Sequence, residues 1–153
     1  MEQLRTSLFL LIFLSSISFA PATRAQTIAR KTEGPFGYNV SLEVILSGTV
    51  SVVLKQPAPG MIMGSHLLLA TTSGPVDASL GRFALLSKVA LPITPGQQVE
   101  VTGVVKTING MQVLLARTVK TNGALYVLRN ARGFVLSPQA QERAKQKTAG
   151  EEL

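Results

Sequence analysis

The sequence predicts an all-β fold, a small five-stranded barrel with one short helix between its third and fourth strands. Three observations carry that expectation. Apolar residues recur at every second position in several separate segments, and turns rich in glycine and proline punctuate those segments at hairpin spacing. There is no cysteine, so the 153-residue chain must hold itself together by burying its alternating face. Closing a sheet on itself buries that face and removes most free strand edges. The composition, 46% apolar and 15% charged, suits one folded domain and excludes collagen-like or wholly disordered chains. It also excludes a thiol nucleophile, a disulfide framework and cysteine-bound zinc or iron–sulfur sites, and a single His rules out a polyhistidine metal centre.

Residues 1–25 are expected to be a signal peptide. Met1 to Arg5 is short and carries one Arg, Leu8 to Ala20 is apolar apart from small Ser residues, and small-residue cleavage sites follow Ala22 and Ala25. The second is preferred, so the mature chain starts at Gln26. The apolar run is shorter than the roughly 20 residues that span a bilayer, and no stable membrane insertion is expected after cleavage. Removing the leader takes away Arg5, Arg24 and Glu2, so the formal charge of +7 falls by only one. Such a surplus favours encounters with anionic surfaces without defining a site.

Gln26 to Asn39 holds Gly34, Pro35 and Gly37 beside mixed charges and is expected to be an extended lead-in to a domain spanning 40–137. In the first strand Val40, Leu42, Val44 and Leu46 alternate with Ser41, Glu43, Ile45 and Ser47, and the apolar set resumes after Gly48 at Val50, Val52 and Leu54. The glycine predicts a bulge or sharp coil that bends the strand around a barrel corner. Gln56 to Gly64, with Pro57, Pro59 and Gly60, is a loop ending in Met61-Ile62-Met63. His66 to Thr72 and Val76 to Leu80 form a hairpin around Ser73-Gly74-Pro75. Arg82 to Val89, bounded by Gly81 and Pro92, has the spacing of about two helical turns. Gln98 to Ile108 is the fourth strand, and Asn109-Gly110 predicts a type I′ hairpin into Met111 to Lys120. Ala124 to Arg129 and Phe134 to Leu136 flank a turn-like tetrad and suggest an extra C-terminal hairpin. The polar run 138–153 is expected to be a frayed helix or a disordered tail.

The element order β-β-β-α-β-β is that of an OB-like barrel. A β-sandwich needs more strands than the sequence supplies. The first strand Val44-x-Leu46-x-Gly48-x-Val50 and the fourth, entered through Pro95-Gly96 as Val99-Glu100-Val101-Thr102-Gly103, together with the signal peptide, resemble the small exported bacterial OB-fold proteins of largely uncharacterised function. The resemblance covers about Val40 to Lys120 and implies an exported barrel, periplasmic or extracellular.

Candidate chemistry is sparse. Glu43, Asp77 and Glu100 are the acids of the folded body and His66 its one imidazole. Glu43 and Glu100 occupy expected outward positions where Lys or Arg neighbours are the ordinary partners, and no nucleophile elbow, zinc-protease helix or phosphate loop is present. The protein is therefore not expected to be an enzyme, and no cofactor is implied. Nucleic-acid binding, the fold-level alternative, calls for stacking rings and a basic groove. Phe36, Tyr38, Phe83, Tyr126 and Phe134 all lie outside the second and third strands, and the basic residues are dispersed.

Met61-x-Met63-x-x-His66 resembles the thioether and imidazole set of periplasmic copper and silver chaperones, which are small OB barrels, and implies Cu(I) or Ag(I) as an alternative ligand. It departs from them in lacking a Trp and in packing all three groups into one segment. The preferred expectation is a binding or assembly module of the cell envelope, its partner a protein or an envelope polymer. Ligands of this barrel class meet the first-to-second and fourth-to-fifth strand loops, so Met61 and Ile62 on one and Asn109 and Gly110 on the other are the expected contact residues.

Overall fold

A computed structural model describes residues 34–86 and 90–151 of the chain. The expected signal peptide and the first part of the lead-in lie outside the described residues. Strands β1 (Val44–Leu54), β2 (Ser65–Thr71), β3 (Gly74–Gly81), β4 (Gln98–Ile108), β5 (Met111–Thr121) and β6 (Ala124–Val127) are followed by helix α1 (Pro138–Glu151). The sheet runs β3-β2-β1-β4-β5-β6, and a parallel pairing of β3 with β5, from Asp77 opposite Val113 to Ser79 opposite Leu115, closes the first five strands into a mixed barrel. The strand order around the ring is β1-β2-β3-β5-β4, a closed five-stranded barrel as expected. Strand β6 pairs only with β5 and stands outside the ring.

The interior is aliphatic: Val50, Leu67, Leu69, Leu80, Val101 and Leu114 are fully buried from five different strands. Both faces of β5 are covered. Leu114 and Ala116 enter the barrel, whereas Val113 and Leu115 join a second cluster outside it with Val104 and Tyr38.

Bulges decide which side chains face inward. Strand β1 pairs Val50 with Leu69 but Val52 with Leu68, so Ser51 is an extra residue. A bulge of this kind shifts the alternation by one. Val53 therefore packs on the core while Val52 is 40% exposed, correcting the expected Val52 face. The bend expected at Gly48 takes a different form. A Cβ there would lie 2.8 Å from the carbonyl oxygen of Ala70, so the glycine admits the close approach of β2. Strand β5 has a second bulge: Thr102 pairs with Thr118 and Gly103 with Ala116, leaving Arg117 as the extra residue and turning its side chain out of the barrel.

Asn109 (φ 51°) and Gly110 (φ 78°) make the expected hairpin turn, and Asn122-Gly123, with φ 51° and 75°, repeats it between β5 and β6. Two expectations need amendment, and a third offers two alternatives. Val40–Leu42 is a 3-10 turn capped by the Asn39 side chain, so β1 begins only at Val44. Arg82 to Leu86 forms a turn, with Leu86 N–H donating to Phe83 C=O at 3.3 Å, in place of helix; 87–89 lie outside the described residues. Of the two alternatives for the tail, helix is the one found, with Pro138 in its first turn after Ser137. Gln141 is buried and donates to Leu136 C=O, and the Lys145 ammonium lies 5.2 Å from the Tyr126 ring centroid, so α1 is fastened to β6.

Candidate functional site

The β1–β2 loop is rich in proline and glycine and has few hydrogen bonds of its own, so its conformation depends on what grips it. Inside it, the Met61 N–H donates to Ala58 C=O at 3.1 Å, and Gly60 adopts φ +88°. From the β4–β5 tip, Asn109 Nδ2 donates to Gly60 C=O at 3.2 Å. The two loops expected to form a common contact surface are therefore joined. Gly110 closes the tip and faces open space.

The main grip is His66. Its ring is fully buried, although His66 stands at the start of a strand. Nε2 lies 2.9 Å from Ile62 C=O, and Nδ1 lies 2.7 Å from Asp77 Oδ1 on β3. Both neighbours are hydrogen-bond acceptors, and only the imidazolium carries two N–H donors. Burial opposes the charge and is the largest single influence, but the Asp77 hydrogen bond, the Ile62 carbonyl and the Asp77 charge together raise the pKa above the ordinary His value. His66 thus acts as a charged clasp between β3 and the loop.

The clasp places the predicted residues as follows. Ile62 packs on the outer cluster, Met61 is half-buried, and Met63 is 77% exposed. Two clefts flank Met63 and Arg82. One, of about 400 Å³, is lined by Phe36, Met61, Ile62, Arg129 and Val135 as well. The other, of about 420 Å³, extends to Lys55, Pro57 and Leu86. For the Met61, Met63 and His66 set, a metal bound at either imidazole nitrogen would have to displace Asp77 or the Ile62 carbonyl.

Arg129 was not singled out by the sequence as a site residue. It is 4% exposed, and its Nη groups make only long contacts, 3.3 Å to Gly133 C=O and to Ser79 Oγ and 3.5 Å to Ser79 C=O, while Nε has no partner. Burial lowers its pKa. No sequence pattern marks it, because it enters the interior through the lone bridge Arg129–Val135 that follows β6.

The remaining charged group is a fastening. Glu43 receives Arg117 Nε at 2.5 Å and Nη2 at 2.7 Å, a bidentate pair, and the Tyr38 hydroxyl at 2.6 Å. The Arg117 hydrogen bond holds the Glu43 carboxyl below its usual pKa, and burial with Glu43 nearby pushes the Tyr38 phenol up. Glu43 is therefore not the solvated surface acid expected. It ties residues 38–43 over the outer cluster, using the side chain that the β5 bulge turned outward. Glu100 is exposed and stands opposite Lys120 in register, the ordinary cross-strand partner.

No curated protein matches the sequence. The MamS/MamX magnetosome protein family matches residues 43–126, more than half of the chain. The matched stretch starts just before β1, ends in β6, and includes the β1–β2 loop, the His66–Asp77 clasp and the Asn109-Gly110 tip. With that coverage of the whole barrel, the chain belongs to the MamS/MamX magnetosome protein family.

Proposed function

We propose that the protein is an exported, non-enzymatic binding module of the cell envelope, serving a magnetosome-associated assembly by docking a protein partner on the face built from the β1–β2 loop and the β4–β5 tip. One observation carries the reading: Met63, 77% exposed on a loop pinned from both sides by His66 and Asn109, lines two adjoining clefts, and Phe36, 54% exposed in the Pro35–Gly37 turn, lines one of them. Exposed apolar side chains held in fixed positions are what a partner buries at an interface centre. The family match supports the magnetosome context. Catalysis is disfavoured because Glu43 and Asp77 are each engaged by a separate cation, Arg117 and the fully buried His66.

A photo-crosslinking residue in place of Met63, in cells, should give one dominant protein adduct that excess unmodified protein competes away. The same residue at exposed Thr72, in the β2–β3 turn at the opposite end of β2, should not give it. Identical adducts from both positions, or none from either, overturn the docking face. Export has its own test. N-terminal sequencing of the protein from the envelope fraction should read from Gln26, and a chain retaining Met1 would refute a cleaved signal.

A further inference from the structure

The cleft between Phe36 and Arg129 has a charge without an answer. Its described lining includes two guanidinium groups, Arg82 and Arg129, and no carboxylate. Arg82 is exposed at the wall, its guanidinium 5.9 Å from the Phe83 ring centroid. Arg129 is 4% exposed and has only hydroxyl and carbonyl contacts at 3.3–3.5 Å, with Nε left over. A buried cation ordinarily sits against an anion, since desolvation without one costs several kcal/mol by rough estimate. Two buried or half-buried carboxylates are spent elsewhere, Asp77 on His66 and Glu43 on Arg117.

We infer that this cleft binds a carboxylate carried on an apolar stem, with Arg129 at its floor and Arg82 at its wall as the anion-binding pair. The inference rests on the docking face proposed above and names the chemistry of its partner: an acidic side chain or chain terminus within an apolar stretch of polypeptide. Arginine presents donors in a fixed fork that matches a carboxylate. The rest of the lining, Phe36, Met61, Met63 and Val135, receives the stem. A phosphate dianion fits less well, because the cleft offers no helix N-terminus and its walls are mainly thioether, aromatic and aliphatic.

The test is an NMR titration of the mature protein with hexanoate, 1-hexanol and hexyl phosphate at low ionic strength. Hexanoate should shift amides of 61–63, 82 and 129–135 saturably and bind at least about tenfold more tightly than hexanol, as a charge-assisted hydrogen bond to a guanidinium implies. Arg82→Ala, at the surface, and Arg129→Gln should each abolish most of that preference, and Arg82→Ala keeps the test informative if Arg129→Gln fails to fold. Equal binding of hexanoate and hexanol, hexanoate shifts undiminished in Arg82→Ala, or tighter binding of hexyl phosphate would overturn the assignment. Loss of the Met63 crosslink with intact hexanoate binding would instead remove the protein partner and leave the anion site standing.

Discussion

Replacing Gly103 with valine is expected to destabilise the barrel by about 3 kcal/mol or more, the scale of overpacking that a core cannot relieve. Gly103 faces Ala116 at the point where the β5 bulge begins. A Cβ at this position would fall on the Leu115 carbonyl oxygen, with the Leu115 carbonyl carbon at 2.9 Å and the Ala116 Cα at 3.0 Å. All three are backbone atoms of a central strand, so no side-chain rotation clears the space. The strands must separate or the bulge must move. Either shift displaces Arg117, the bulged residue, from Glu43 and loosens the Tyr38 segment that covers the outer cluster. Urea unfolding of Gly103→Val should show a much lower midpoint, while valine at exposed Thr107 on the same strand should change it little. A Gly103→Val midpoint equal to wild type would mean that β4 and β5 do not approach so closely.

That bulge also marks where the sequence stops being legible. Alternation and turn chemistry locate strands well, because period-2 burial and the Asn-Gly turn are local properties of the chain. The five-stranded barrel could be expected for the same reason. Bulges are set by the partner strand, so nothing local announces Ser51 or Arg117 as extra residues, and the inward set after Ser51 is misassigned by one. Burial of polar side chains is equally non-local. His66 looks like a strand-edge histidine until Asp77, eleven residues away across a hairpin, and the Ile62 carbonyl close on it. Arg129 has no sequence signature because its environment is assembled from Ser79 on β3 and the turn at Gly133. The two strand connections that touch through Asn109 and Gly60 were legible as turns, but the burial of Arg129 beside them was not.

Replacing His66 with glutamine should cost about 3 kcal/mol at pH 6, the scale of breaking a buried ion pair, held to the lower end because Asp77 is 13% exposed. The loss should depend on pH in a specified direction. The folded-state pKa of His66 is raised above its unfolded value, which is about 6.5 for a free imidazole. Between those two values the native state binds more proton than the unfolded state, so stability falls as pH rises. The stabilisation is complete below about pH 6.5 and is gone once pH has passed through the folded pKa. Wild-type unfolding free energy minus that of His66→Gln should therefore shrink steadily from pH 6 upward and then level off. Deprotonation also removes one of the two donors, leaving either Asp77 or the Ile62 carbonyl facing a lone pair. Because Ile62 sits between Met61 and Met63, hydrogen exchange of the β1–β2 loop, corrected for intrinsic rates, should rise over the same interval. A difference curve that is flat, or that grows with pH, would show that the ring is neutral in the folded protein and that the charged clasp does not exist.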